Sequence, residues 1–233
     1  MSEARDQIIQ SIRRALKRGA LTTEAEKALA DRLAQPTRNL IPARAASLQH
    51  QGQVDLFVAM AEEVQTTVMR VVDAGAVPGA VADYLAQQNL PSRLVMTPDP
   101  RLDDIPWSDR PMLEIRRGRA EDGDQVGVTA CFAAIAETGT LMLTSGPESP
   151  TRNNFLPDTH IVVMRGAQVV ASYEDGWARL RAERAAAGQS PMPRTVNFIT
   201  GPSRTGDIEQ RIELGAHGPR RLHIVLIDDE ARA

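Results

Sequence analysis

A single cysteine, Cys131, stands in a chain of 233 residues. It can close no intramolecular disulfide, and it cannot alone supply the thiolates that an iron–sulfur cluster needs. Aromatic residues are scarce, at 3% against a hydrophobic total of 42%, so the core must be built from Ala, Val, Leu and Ile. Long apolar runs are missing as well. No stretch approaches the about 18 apolar residues of a membrane-spanning helix, so no transmembrane segment is expected. The first residues, MSEARDQIIQSIRRALKR, lack the apolar centre of a signal peptide, which makes the cytoplasm the expected location. Neither sign of charge dominates. Lys plus Arg is 27 and Asp plus Glu is 30, a net charge of -3, and nothing in that balance argues for a nucleic-acid partner. Four histidines without HxH or HExxH spacing give no specific zinc signal. No GxSxG elbow, P-loop lysine motif or dinucleotide fingerprint occurs.

What is present is an alternation of apolar runs and amphipathic stretches. Residues 3–18 have a helical stripe of Ile8, Ile12 and Leu16, and Thr23–Leu33 reads as a second helix capped by Thr22 or Thr23. Residues 36–53 carry two prolines and read as an extended arm. We therefore expect a helical N-terminal extension and linker over 1–50 and a domain over 51–230. The two leading helices could wrap a neighbouring subunit, so a homo-oligomer is one expected assembly. Asp55–Val71 keeps a three-four apolar spacing through Phe57, Met60, Val64, Val68 and Val71 and is read as one helix, and Gly79–Gln88 as the next. Short strands are expected at 93–96, 112–115, 141–144 and 160–164, followed by a helix from Tyr173 to about Ala187. Residues 130–136 read as a close-packed helix or strand of small residues.

The C-terminal stretch VNFITGPSRTGDIEQRIELGAHGPRRLHIVLI, residues 196–227, organises the rest. Val196–Thr200 reads as a buried strand, and Gly201-Pro202-Ser203 as a sharp turn. Asp207–Leu214 has Ile208 and Ile212 four apart, as in a short helix, and Leu222–Ile227 reads as a second buried strand. Strand, helix and strand would make a βαβ unit, in which ligands bind beyond the carboxyl ends of the strands. The turn would then hold an anion on free backbone N–H groups at a helix start, with Ser203, Arg204, Thr205 and Gly206 as the binding set. A plain helix cap through Thr205 or Asp207 is the competing reading. Asp207 and Glu209 suit the helix dipole but oppose a fully charged phosphate, so a carboxylate, a sugar hydroxyl or a metal-bridged oxygen is the expected group.

A second motif, Ala136-Glu137-Thr138-Gly139-Thr140, leads into the strand at 141–144. Glu137 at this boundary is a candidate acid, base or nucleophile, or else a structural anchor. Thr138 and Gly139 beside it, and Arg152 in the polar loop 145–154, extend the candidate substrate-binding set. His217, just before the last strand, is the second catalytic candidate. Asp207, Glu209 and His217 form a weak metal set that only folding could gather. His160 opens a buried strand and reads as a structural histidine. Chain order alone cannot bring His160 and His217 together.

The pieces AAIAETGTLML (133–143), LPDTHIVVM (156–164), GPSRTGDIE (201–209) and LGAHGPRRLHIVLI (214–227) together resemble the LUD domain family, whose best-known members are the lactate utilization protein C group. The resemblance spans about residues 50–227. It implies a three-layer α/β fold with a mostly parallel sheet, similar to the sugar-phosphate isomerase, CoA transferase and formyltetrahydrofolate cyclo-ligase superfamily. A glutamate nucleophile in the CoA transferases makes Glu137 worth testing, although no transferase motif surrounds it. The resemblance also implies a role with two iron–sulfur partner proteins in converting L-lactate to pyruvate, with a small carboxylate as substrate. The clusters are then expected in the partners and no cofactor in this chain alone. The alternative is a free-standing enzyme or binding protein for a small anionic metabolite, with no redox role.

Overall fold

The computed structural model describes residues 3–17, 19–37, 40–208 and 211–228, with the backbone alone for 207, 208, 211 and 212. The chain divides into two compact units, Met1–Leu40 and Ile41–Ala233. In the first, α1 (Glu3–Ala15) and α2 (Thr23–Ala34) are amphipathic helices that bury no residue. The Thr22 hydroxyl accepts the Ala25 N–H at 3.2 Å, so the expected cap is present. Helix α1 stops at Ala15, short of the expected residue 18, and Arg18 lies outside the described residues.

The second unit runs in the order α3 (Ala43–Ala46), α4 (His50–Glu63), β1 (Thr67–Val71), α5 (Val77–Gln87), β2 (Arg93–Met96), β3 (Glu114–Arg117), β4 (Val126–Ala130), β5 (Ala133–Ile135) and β6 (Thr140–Thr144). It continues through α6 (Arg152–Phe155), β7 (Thr159–Arg165), β8 (Val169–Val170), α7 (Tyr173–Ala186), β9 (Val196–Ile199), β10 (Arg204–Ile208), β11 (Arg211–Leu214) and β12 (Arg221–Ile227). Six strands form a wholly parallel sheet in the order β1-β12-β7-β4-β2-β3. The α/β class with a mostly parallel sheet is thus as expected.

Strands β4, β7 and β12 lie inside this sheet and are buried on both faces, which is why their sequences are nearly continuous apolar runs. Alternation decides which face each side chain serves. Ile161, Val163, Val225 and Ile227 pack with Val77, Val81, Tyr84 and Leu85 of α5. Val162, Met164, Leu222, Ile224 and Leu226 point the other way, onto Val54, Phe57 and Ala61 of α4 and onto a second sheet. That second sheet, in the order β8-β5-β6-β9, has antiparallel β5–β6 and β6–β9 pairs and was not expected from sequence. Its far side packs Met142 and Ala133 against Leu180 of α7.

Three sequence expectations are corrected. The helix expected over Asp55–Val71 is two elements, α4 and then the edge strand β1. The arm expected over 36–53 contains α3 and the start of α4. The short helix expected over Asp207–Leu214 is the hairpin β10–β11, so 196–227 is not a βαβ unit. Eight residues are too few to carry a helix without tertiary support, and antiparallel pairing satisfies the same backbone groups. Strand β9 belongs to the second sheet and β12 to the first, so the hairpin is an excursion between sheets.

Gly139 shows how tightly the second sheet is seated. It turns the chain between β5 and β6 at φ 64°, and a Cβ there would stand 2.3 Å from the Ala61 backbone nitrogen and 2.5 Å from the Met60 carbonyl carbon. The neighbour that requires glycine here is the backbone of α4. Gly139→Ala combines a left-handed backbone with a clash that no side-chain rotation relieves, and a loss of about 3–5 kcal/mol is expected. Urea unfolding checks this; a loss below about 1 kcal/mol would show that α4 and the turn can separate freely.

Candidate functional site

A cavity of about 420 Å³ opens at the amino ends of β7 and β12. Its lining includes His160, Thr200, Ser203, Arg204, His217 and Leu222. Three segments build it. The first is the start of β7, where His160 pairs in register with Gly127 on one side and Leu222 on the other. A Cβ at Gly127 would stand 2.8 Å from the Pro157 side chain and 3.1 Å from the Asn153 carbonyl oxygen, so glycine lets the 153–157 segment pack onto β4.

The second segment is the turn after β9. Gly201 adopts φ 79°, and a Cβ there would lie 2.5 Å from the Val64 carbonyl oxygen. The third is the return from the hairpin, residues 215–219. Ser203 ties the second and third segments together. Its N–H donates to the Pro219 carbonyl at 2.8 Å, its carbonyl accepts the Gly215 N–H at 2.9 Å, and its hydroxyl accepts the His217 N–H at 3.3 Å. The expected anion cup of free N–H groups at a helix start is therefore absent. No helix follows the turn, and the Ser203 N–H is already spent on the hairpin's base. The Ser203 hydroxyl still carries its own proton.

Electrostatics give the cavity a cationic rim and a neutral floor. Arg204 is exposed and makes no ion pair among the described residues, which leaves its guanidinium for a ligand. His217 is exposed at the same rim. His160 is 1% exposed, and burial pushes its pKa down to about 3. It is neutral near pH 7. Its Nε2 lies 2.8 Å from the Thr129 hydroxyl, and its Nδ1 has no partner among the described residues. If Thr129 donates to Nε2, only one buried atom is left unpaired. That tautomer, assigned from the hydrogen bonds, places an N–H at Nδ1.

The other sequence candidates fall elsewhere. Glu137 does not line the cavity; its Oε1 accepts the N–H of Tyr173, 3.1 Å away, and so caps the first turn of α7. Arg152 is paired with Asp122, outside the cavity lining. Thr205 is buried and Gly206 exposed on β10, away from the lining. Of the weak metal set, Glu209 and the side chain of Asp207 lie outside the described residues, and among the described residues no group of three metal-ligating side chains forms. Thr138 reaches the cavity indirectly. Its hydroxyl is 2.7 Å from that of Thr140, which is 2.7 Å from that of Thr200.

Larger openings lie at the carboxyl ends of the parallel strands, where ligand sites of such sheets usually sit. One of about 660 Å³ is lined by Asp99, Arg101 and Ser149. Arg101 is committed there: it donates to Asp99 at 2.6 and 2.9 Å and to the Cys131 carbonyl at 2.6 Å, and Ser149 donates to Asp99 at 2.9 Å. Burial would raise the Asp99 pKa, but these bonds and the Arg101 charge outweigh it and hold the carboxyl below its ordinary range. Such a satisfied cluster ties loops together and keeps little capacity for a ligand.

Residues 54–227 match the LUD domain. The chain belongs to the LUD domain family. The lactate utilization protein C of Deinococcus radiodurans is 32% identical over 161 residues, 67% of this chain and 71% of that protein. The lactate utilization protein C of a Geobacillus species is 34% identical over 104 residues, 45% of this chain and 42% of that protein, so the chain spans less than half the length of that relative. A crystallised DUF162 family protein from Deinococcus radiodurans superposes with a TM-score of 0.56 and 26% identity, over 77% of this chain and 99% of that one.

The LUD domain of this chain does not fit an iron–sulfur cluster. Its one cysteine is buried, and burial pushes the thiol up to about 12, which disfavours the thiolate a cluster requires. Sequence reasoning found Ser203, Arg204 and His217, read His160 as structural, and did not single out Thr200. The available signal was the histidine opening an apolar strand; Thr200, at the end of β9, gave none.

Proposed function

We propose that the chain is a non-cluster subunit of a lactate utilization system, which holds a small 2-hydroxy acid while iron–sulfur partner proteins take its electrons. Conversion of L-lactate to pyruvate releases two electrons and two protons. Side chains offer no acceptor for a hydride equivalent, so the reading assigns electron transfer to the partners. Arg204 binds the carboxylate, and His217 at the same rim takes the hydroxyl proton.

The observation that carries this reading is the meeting, in one cavity of about 420 Å³, of two histidines and an arginine without an ion-pair partner among the described residues. The relatives named lactate utilization protein C supply the system to which it is assigned. Purification of the tagged chain from its native cells, with metal and flavin analysis, tests the assignment; recovery without iron–sulfur proteins counts against it. A second reading is a free-standing enzyme or binding protein for a small anionic metabolite, held by Arg204 in the same cavity.

Both readings require the guanidinium. Arg204→Ala is expected to weaken L-lactate binding, measured by calorimetry, about 10- to 100-fold without lowering the melting temperature. Unchanged affinity would remove Arg204 from the site.

A further inference from the structure

We infer that the cavity selects 2-hydroxy acids over the corresponding 2-oxo acids, because a chain of hydroxyls running outward from buried Thr140 fixes Thr200, at the exposed end, as a hydrogen-bond acceptor. The inference rests on the reading of the cavity as a carboxylate site and adds what discriminates at the second carbon. Four hydroxyls are linked by four contacts: Thr138 with Thr140 at 2.7 Å, Thr138 with Tyr173 at 3.1 Å, Thr140 with Tyr173 at 3.0 Å, and Thr140 with Thr200 at 2.7 Å. Each hydroxyl has one proton to give. In the Thr138–Tyr173 contact the threonine is the donor. The proton of Thr138 is then spent, so Thr140 must donate to Thr138. The proton of Thr140 is spent in turn, so both Tyr173 and Thr200 must donate to Thr140. Four protons fill four contacts in one arrangement only.

Thr140, which is fully buried, ends with one bond donated and two accepted, its full capacity. Thr200 sits at the outer end, on the cavity, with its proton turned inward and only lone pairs facing a ligand. A ligand hydroxyl can donate to those lone pairs. A ketone in the same place sets its own lone pairs against them. A site that hydrogen-bonds a ligand hydroxyl rejects the analogue without it, because its own polar group is left unpaired. The structure holds this polarity firmly. Glu137 accepts the Tyr173 N–H, and the Tyr173 ring packs edge-on to Phe198 at 5.1 Å between centroids. Tyr173 and Thr138 are positioning residues, since neither lines the cavity.

The test is calorimetric titration of the full chain with L-lactate against pyruvate and with 2-hydroxybutyrate against 2-oxobutyrate, with 2-methoxypropionate as the control that keeps the oxygen and loses its proton. Wild type is expected to bind each hydroxy acid about tenfold more tightly than its oxo partner and than the methyl ether, the worth of one hydrogen bond. Thr200→Val should bring hydroxy-acid affinity down to the oxo-acid level. Tyr173→Phe leaves the lining intact but frees Thr140 to donate to Thr200, so the preference should fall towards parity. Thr138→Val unpins the same chain from a second position and serves if the tyrosine variant does not fold. A merely structural role for these residues would change all affinities together and leave the ratio alone. Equal binding of hydroxy and oxo acids by wild type, an unchanged ratio in both folded positioning variants, or no binding of any of the acids overturns the inference. Preference for 2-hydroxybutyrate without binding of lactate supports it and instead removes the lactate assignment.

Discussion

Stability is expected to be nearly flat above pH 7 and to fall steeply as the pH drops from about 6.5 towards 4. Two buried histidines cause this. Burial pushes His160 to about 3 and His223 to about 4, the latter against the opposing hydrogen bond at Thr67. His223 stacks on Tyr84 with ring centroids 3.8 Å apart, and its Nδ1 lies 2.8 Å from the Thr67 hydroxyl. Both rings are neutral in the folded chain, whereas an unfolded histidine titrates near 6.5. Between those values the unfolded state binds more protons than the folded state, so stability rises with pH. Each histidine then contributes about 1.4 kcal/mol per pH unit, and the pair about 3 kcal/mol per unit between about pH 6 and pH 4. The sum over that window is comparable with the whole stability of an ordinary domain, so unfolding near pH 4 is expected. Urea melts from pH 7.5 to 4 measure the slope. His223→Phe keeps the stacked ring, removes one titration and should about halve the histidine contribution. Nuclear magnetic resonance titration of either imidazole near pH 6.5 in the folded protein would contradict the argument.

The parts of the fold that were legible in sequence are those whose local pattern and tertiary fate agree. Arg93–Met96 is β2 with the expected bounds, and the apolar runs at 160–164 and 222–227 are β7 and β12. The misreadings have local causes. Val68 and Val71 continue by chance the three-four spacing of Phe57, Met60 and Val64, so the pattern alone extends the helix to residue 71. The chain in fact leaves α4 through Gln65 at φ 69°, a left-handed position filled by a residue other than glycine, and so without the usual stop signal. The second sheet was hidden because β5 and β8 are only three and two residues long. Pairing of β6 with β9 joins segments over fifty residues apart in sequence, and no local pattern encodes it.

The site divides in the same way. Ser203, Arg204 and His217 are visible because glycines and prolines mark the turns that carry them. Glu137 stood out for its position, and its place under α7 shows that a carboxylate at a strand boundary can serve a helix N-terminus. His160 is held in the cavity wall by the hydroxyl of Thr129, on a strand some thirty residues earlier. The polarity of Thr200 depends on Thr140, sixty residues away, and appears only when the protons are counted through the network.

Purified alone and supplied anaerobically with L-lactate, NAD, FAD, FMN and an artificial electron acceptor, the chain is expected to show no sustained turnover. The expectation follows from the proposed division of labour. Oxidation of L-lactate moves a hydride equivalent off the second carbon, and Arg204, His217, Ser203 and Thr200 can orient the molecule and accept a proton but cannot accept that hydride. Cys131 is a poor redox group: it is 0% exposed, has no partner cysteine, and is held as a thiol by a pKa of about 12. No dinucleotide fingerprint follows any of the six parallel strands. On the proposed division of labour the acceptor approaches the cavity from outside, by way of the exposed rim at Phe155, Phe198 and Arg204. Adding iron–sulfur proteins purified from the same cells should raise turnover from background by orders of magnitude, and Arg204→Ala in the mixture should lower it about 10- to 100-fold, as for binding. Sustained pyruvate formation by the isolated chain, stoichiometric with acceptor reduced and lost in Arg204→Ala, would overturn the division and place the whole reaction in this subunit.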